Sequence, residues 1–81
     1  MTQAQLNDEI LALIRESTET ELPLEPDTHL IRDLGLSSVE IMLLISDLED
    51  HFDLTISAAQ LRHVQTIWDL TQLVTTEIRK R

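Results

Sequence analysis

Apolar residues recur with helical periodicity in three long segments of the chain, and each segment begins with a residue that can cap a helix. The first helix is expected over about residues 2–16, with Thr2 as its N-cap. The second is expected after Ser37, which has Glu40 three residues later as in a capping box. The last is expected from Thr66, with Asp69 in its first turn. The three apolar stripes comprise Leu6, Ile10, Leu13 and Ile14; Ile41, Leu44, Ile45, Leu48 and Phe52; and Ile67, Leu70, Leu73, Val74 and Ile78.

The segments between these helices carry signals of their own. Residues 17–36 contain Pro23 and Pro26, which disfavour helix, yet a featureless loop of about 20 residues would be unusual in so small a domain. We therefore expect an ordered loop in which Asp27 caps a short turn over residues 28–31. Residues 53–56 should form a connection, and Ser57 should cap a short helix over residues 58–63. Apolar side chains that can hold the long loop against the core are Leu22, Leu24, Leu30, Ile31, Leu34 and Leu36.

The whole pattern predicts an all-α fold, a small bundle of three main helices plus one short helix. Residues 1–81 suffice for a single domain with one modest core. Apolar residues make up 42% of the chain, which is too many for a disordered protein even at a net charge of −9. Of the two aromatic residues, Phe52 belongs to a core stripe, and Trp68 is expected in the core or half-buried.

The strongly acidic charge restricts the partners that can be expected. Residues 1–78 hold fifteen acidic residues against three basic ones, and residues 79–81 hold the other three bases, where they suit the negative end of a helix dipole. Nucleic acid and anionic membranes should be repelled, whereas basic protein surfaces should be attracted. Solubility alone is the competing explanation of the charge. Because no apolar run approaches about 18 residues and the N-terminus does not look like a signal peptide, we expect a cytoplasmic protein without membrane insertion.

Patterns for catalysis or metal binding do not emerge from the sequence. The chain has no cysteine, which excludes disulfides, thiolate metal sites and a cysteine nucleophile. The three histidines, His29, His51 and His63, lack the spacing of a zinc site. The acidic residues after position 46 lack the glycine and the alternation of a calcium-binding loop. Since no nucleophile and base are paired, we expect neither an enzyme nor a metal site.

Residues 33–40, with the sequence DLGLSSVE, carry the candidate chemistry. Gly35 permits a backbone conformation that other residues avoid. Ser37 is spaced to cap the following helix, so its hydroxyl is occupied by backbone N–H groups. Ser38 would be the first helical residue, with its hydroxyl facing solvent where helix N–H groups favour a phosphate. The competing interpretation is that both serines only serve the helix start.

The segment from Asp33 to Asp53 resembles the signature region of acyl carrier proteins. It has the family's Asp-Leu-Gly-x-x-Ser core at residues 33–38, followed by a helix that ends in Leu-Glu-Asp-His-Phe-Asp at residues 48–53. Residues 26–30 resemble the family's loop, residues 66–73 resemble its last helix, and the likeness extends over the whole chain. The resemblance implies that Ser38 receives 4′-phosphopantetheine from coenzyme A. The thiol of that arm would hold acyl groups as thioesters.

We expect a monomeric carrier with a partner-binding face on the second main helix, because any enzyme working on an arm at Ser38 must approach this end of the helix. Partners would be a phosphopantetheinyl transferase and acyl-loading or synthase enzymes with basic surfaces. Two positions depart from the family pattern, because Ser37 replaces a usual Asp and Leu43 stands where fatty-acid carriers often have an acid. We expect Leu43 to be exposed near the centre of this face. The face is expected to comprise Val39, Glu40, Leu43, Ser46, Asp47, Glu49 and Asp50.

Three functions remain open at this point. One is acyl carriage in a fatty-acid-like or a specialised pathway, and the two departures favour a specialised one, such as polyketide, peptide or lipid-modification chemistry. A peptidyl, aryl or aminoacyl carrier would use the same arm with another cargo. An acidic helical adaptor that binds proteins and is never modified would need no arm.

Overall fold

A computed structural model describes residues 2–80 and, within that range, consists of four helices and no strands. They are α1 (Gln3–Thr18), α2 (Ser38–Phe52), α3 (Ala58–Leu61) and α4 (Ile67–Arg79). The expectation of an all-helical bundle with three main helices and one short helix is therefore confirmed. Helix α1 extends two residues beyond its expected end, and α3 stops two residues before its own. No helix in this part of the chain has the length and apolarity needed to cross a bilayer.

All four helices begin with a reciprocal capping box. The N-cap hydroxyl accepts a hydrogen bond from the backbone N–H three residues later, and the side chain of that later residue accepts one from the N-cap N–H. Each helix start is thereby fixed to one residue, and the four caps expected from the sequence are confirmed. The pairs are Thr2 with Gln5, Ser37 with Glu40, Ser57 with Gln60, and Thr66 with Asp69.

The core lies where α1 packs against α2 and α4. The three expected apolar stripes face it, although Leu13, Ile41, Leu73 and Ile78 are only half-buried. The sequence reasoning missed one feature of α4, since the polar residues Thr71 and Thr75 are buried on its inner face. Thr75 Oγ1 accepts a hydrogen bond of 3.1 Å from Gln3 Nε2 on α1, which satisfies the buried hydroxyl. The fully buried side chains at the centre are Ile10, Ile14, Leu30, Leu44, Leu48, Leu70 and Val74.

The long loop is ordered, but not all of its apolar residues face the core as expected. Leu30 and Leu36 are buried, and Leu24 and Leu34 pack against the core at half burial. Leu22 and Ile31 are instead 52% and 56% exposed, so the prediction was wrong for both. Consecutive side chains in a turn point in different directions, and burial of Leu30 therefore leaves its neighbour facing solvent.

Trp68 was expected in the core or half-buried, but its side chain is 53% exposed. Each helical residue is rotated by about 100° from the one before it. With Ile67 and Leu70 turned into the core of α4, Trp68 lies outside their inward sector. A small cleft of about 110 Å³ lies beside its indole, between α1, α4 and the loop at Pro26.

The turn that precedes α2 is capped by a residue that the sequence analysis did not choose. Asp27 was expected to cap it, but the acceptor is Nδ1 of His29, which receives the N–H groups of Ile31 at 3.2 Å and Arg32 at 3.0 Å. The Asp33 carboxylate accepts the His29 backbone N–H at 2.7 Å. The cap lies two residues later than expected because the turn itself runs over residues 30–34.

Candidate modification site

The chain before α2 is held against the start of α4. The Leu30 N–H donates to the Gln65 carbonyl at 2.9 Å, and the Ile67 N–H donates to the Thr28 carbonyl at 3.0 Å. These two bonds flank an isolated antiparallel bridge between His29 and Thr66. The N-cap of α4 and the segment leading to the candidate serines therefore form one hydrogen-bonded unit.

Gly35 reverses the chain between the turn and α2. Its φ of 67° lies in the left-handed region, which costs a residue with a side chain about 1–2 kcal/mol. A Cβ placed at this position would meet no atom within 4 Å, so the backbone conformation and not crowding requires glycine here. The Gly35 N–H donates to the Ile31 carbonyl at 2.9 Å, which ties the reversal to the preceding turn.

Leu36 anchors the last step before the helix. Its side chain is 5% exposed, and its N–H donates to the Leu30 carbonyl at 3.2 Å. Because Leu30 is also buried, the turn closes over two core side chains. Residues 37 and 38 are consequently presented at a fixed place on the surface.

The two serines at the start of α2 have different surroundings. The Ser37 hydroxyl accepts the Glu40 N–H at 3.2 Å, while the Glu40 carboxylate accepts the Ser37 N–H at 3.1 Å. Ser38 is exposed and is the first residue of the helix. Within residues 2–80, no side chain hydrogen-bonds to its hydroxyl. A helix N-terminus favours a phosphate, so the position of Ser38 fits a phosphodiester-linked group, whereas Ser37 is engaged in its cap.

An apolar stripe continues from Ser38 along the outer side of α2. Val39 and Met42 are each 66% exposed and Leu43 is 60% exposed. The three residues are spaced at i, i+3 and i+4, so they share one side of the helix; we call them the apolar face. The exposure of Leu43 agrees with the sequence analysis. Met42 was missed there, although its spacing from Val39 could have identified it.

The acidic residues expected around this face differ in their environment. Glu40 belongs to the helix cap, and the Asp47 carboxylate accepts a hydrogen bond from the Ser17 hydroxyl at 3.1 Å. Glu49 is half-buried, and its carboxylate accepts the Ile56 N–H at 2.9 Å, which fixes the connection after α2. Glu49 is therefore less accessible to a partner than an exposed acidic residue of this helix such as Asp50. Ser46 and Asp50 are exposed.

Within the described part of the chain, two carboxyl groups have a lowered pKa, and both belong to α4. Hydrogen bonds from the backbone N–H groups of Gln65 and Thr66 lower the pKa of Asp69. The Gln60 side chain and Lys80 together lower the pKa of Glu77. The Asp69 carboxylate thus helps to fix the segment that pairs with the loop before Ser38. Among residues 2–80, no three histidine or acidic side chains are grouped in a way that could hold a metal ion.

The protein is a small helical bundle with an exposed serine at a helix start, and comparisons with known proteins identify its family. Residues 8–74 match the family model described as the phosphopantetheine attachment site. An acyl carrier protein of Exiguobacterium sibiricum is 32% identical over 81 residues, which cover 96% of this chain and 100% of that protein. An acyl carrier protein of Syntrophus aciditrophicus is 32% identical over 66 residues, or 80% of this chain and 82% of that protein.

Solved structures share the same fold. A candidate acyl carrier protein from Mycobacterium tuberculosis superposes with a TM-score of 0.83 at 30% identity, covering 88% of this chain and 96% of that one. An acyl carrier protein from Thermotoga maritima superposes with a TM-score of 0.80 at 19% identity, covering 96% and 92%. The chain belongs to the acyl carrier protein family. It is a carrier that bears a phosphopantetheine arm, and it is not an enzyme.

Proposed function

We propose that Ser38 is the residue that carries the 4′-phosphopantetheine arm. The observation that supports this assignment is the contrast between the adjacent serines, because the Ser37 hydroxyl is bonded to the Glu40 N–H and Ser38 is exposed. Ser38 also occupies the serine position of the Asp-Leu-Gly-x-x-Ser core at residues 33–38. When attached, the arm supplies a terminal thiol that holds an acyl group as a thioester. The protein's own part is to hold the hydroxyl at the end of α2, beyond the reversal at Gly35.

Intact mass spectrometry of the arm transfer tests this assignment. The chain is incubated with coenzyme A and a phosphopantetheinyl transferase, alongside Ser38→Ala and Ser37→Ala. Ser38→Ala should fold normally and gain no mass. Ser37→Ala should still gain the arm, while its lost cap lowers stability by about 0.5–2 kcal/mol. Modification of Ser38→Ala would place the arm on another residue, and no modification of any form would favour the unmodified adaptor.

We also propose that the partner enzymes dock on α2 around Leu43. A surface leucine alone is ordinary, but this one lies in an apolar face that begins beside Ser38, where any enzyme working on the arm must approach. Asp50 is exposed and can steer a basic partner surface, chiefly through the association rate. Asp50→Lys should therefore slow association most at low salt, whereas an unaltered rate would remove Asp50 from the docking surface.

We further propose that the carrier serves a specialised pathway, such as polyketide or lipid-modification chemistry, with a fatty-acid-like pathway as the alternative. Support comes from the exposed apolar Leu43 and from Ser37, two positions where fatty-acid carriers usually have acids. Loading of the holo-protein by purified acyl-activating and amino-acid-activating enzymes separates acyl from aminoacyl carriage. A single domain over residues 1–81, a monomeric state and a cytoplasmic location stay predictions.

A further inference from the structure

His29 organises the turn that leads to Ser38. Its backbone N–H donates to the Asp33 carboxylate at 2.7 Å, and its carbonyl accepts the N–H groups of Asp33 at 3.0 Å and Leu34 at 3.2 Å. Its ring nitrogen Nδ1 accepts the N–H groups of Ile31 at 3.2 Å and Arg32 at 3.0 Å. Five hydrogen bonds of the turn therefore involve this one residue. Because Nδ1 accepts two of them, it must be unprotonated in this arrangement.

The turn is linked directly to the candidate modification site. Ile31, whose N–H is bonded to the ring, contributes the carbonyl that accepts the Gly35 N–H at 2.9 Å. Leu36 then closes the turn on Leu30, and the helix cap at Ser37 follows immediately. If the hydrogen bonds from the ring to Ile31 and Arg32 break, these two backbone N–H groups lose their acceptor. The chain reversal at Gly35 is then no longer supported by an ordered turn.

We propose that His29 is a positioning residue for arm attachment at Ser38, and that protonation of its ring at Nδ1 loosens the turn and slows the attachment. This inference rests on the proposed role of Ser38. A neutral imidazole acts here as a helix N-cap does, with the difference that its acceptor disappears in acid. Histidine is the side chain whose charge ordinarily changes between about pH 5 and 8, so a comparison of rates across that range tests the cap.

Charged groups face His29 from its own turn and from α4. On its own turn, the Asp33 carboxylate is bonded to the His29 N–H, and Arg32 follows in the chain. From α4, the Asp69 carboxylate interacts electrostatically with His29. Both carboxylates attract an imidazolium, whereas the N–H groups of Ile31 and Arg32 repel it. A protonated ring is therefore expected to turn away from the two N–H groups and toward the carboxylates.

The test compares three substitutions in the full chain. His29→Asn keeps a short acceptor that does not titrate, and His29→Ala removes the acceptor. His63→Asn is the matched control, because it makes the same change at an exposed histidine after α3. Arm attachment by a phosphopantetheinyl transferase is measured at about pH 8 and about pH 5.5. Each rate is divided by that of His29→Asn at the same pH, which cancels the transferase's own pH dependence.

At about pH 8, arm attachment to His29→Ala should be about two- to thirty-fold slower than attachment to the original chain. This factor corresponds to the free energy that is usually lost with a cap acceptor. The change should lie mainly in KM for the carrier, since fewer molecules hold the competent loop. His29→Asn should restore most of the rate. At about pH 5.5, the original chain should lose rate relative to His29→Asn, and His63→Asn should follow the original chain.

Two results would overturn the inference. One is a ratio between the original chain and His29→Asn that stays constant over pH. The other is an arm-attachment rate for His29→Ala that equals the rate for Ser57→Ala. Ser57→Ala loses the cap of α3 and therefore controls for general destabilisation. Failure of the proposed function would look different, because Ser38→Ala would then still gain the arm at every pH.

Discussion

Leu43 and Leu44 are adjacent residues of α2 with opposite roles, and replacing each of them tests the assignment of the docking face. Leu43 is 60% exposed, whereas Leu44 is 1% exposed and packs in the core. Leu43→Ala removes a side chain that is less than half buried, so it should lower stability by no more than about 1 kcal/mol. Leu44→Ala leaves a cavity in a fully packed site and should cost about 2–5 kcal/mol.

Leu43→Glu is the stronger perturbation of the same face. Glutamate is a good helix former, and the new charge lies one turn from both Glu40 and Asp47. Like charges at this spacing cost about 0.2–0.5 kcal/mol per pair, so the variant should remain folded. Its arm attachment should nevertheless slow by about five- to thirty-fold, the effect of removing a central interface contact worth about 1–2 kcal/mol. Leu43→Gln separates the loss of apolar contact from the added charge.

The assay pairs circular dichroism during thermal unfolding with the rate of arm attachment. A change of 1 kcal/mol shifts the midpoint of a domain of this size by about 4–8 °C. Leu44→Ala should therefore melt well below Leu43→Ala. The reasoning would be refuted if Leu43→Glu unfolded the domain, which would mean that Leu43 packs in the core. Unchanged attachment by a folded Leu43→Glu would remove Leu43 from the docking face.

Three further predictions concern stability. Residues 33–53 hold six acidic residues and no Lys or Arg, so their like charges repel one another in the folded domain. Added sodium chloride should raise the midpoint of thermal unfolding, because at 0.1 M it screens charges over about 10 Å. An unchanged midpoint would show that the acidic residues are already balanced by local hydrogen bonds or ion pairs. Because folding lowers the pKa of Asp69, its stabilisation is complete above the ordinary aspartate range and is lost as the pH falls through the folded pKa. Asp69→Asn should thus weaken the pH dependence of unfolding below about pH 4, and an identical profile would contradict this. Glu49→Ala should lower the free energy of unfolding by about 1–3 kcal/mol, because the Ile56 N–H loses its acceptor. Glu49→Gln keeps an acceptor and should lower it less. Equal losses for the two variants would show that this hydrogen bond contributes little.

The sequence was most informative where a local rule determines the structure. Each helix begins at a residue whose hydroxyl meets the N–H three positions later, so Ser37 and Thr66 could be identified as caps from spacing alone. The apolar stripes were predictable because one helical face must be buried. In the long loop no such period exists. Leu36 and Ile31 are both apolar, yet only Leu36 is buried, and that difference depends on the tertiary path of the turn.

The candidate site shows the same division. The different roles of Ser37 and Ser38 follow from their offset to Glu40, which the sequence displays. The cap at His29 could not be predicted from the sequence, because an imidazole acceptor has no characteristic spacing. Asp27 is a more usual residue type for a cap. Glu49 was expected in the partner-binding face, but its carboxylate accepts the Ile56 N–H, and that bond depends on how residues 53–56 return to the helix.

The most direct measurement of the central claim is the location of the arm on the intact, unsubstituted chain. Trypsin cleaves after Arg32 and Arg62, so residues 33–62 form one peptide that contains both candidate serines. Tandem mass spectrometry of this peptide, after arm transfer from coenzyme A, should give fragments in which the added mass first appears at Ser38 and is absent from Ser37. An arm on Ser37, or on any residue outside this peptide, would contradict the account.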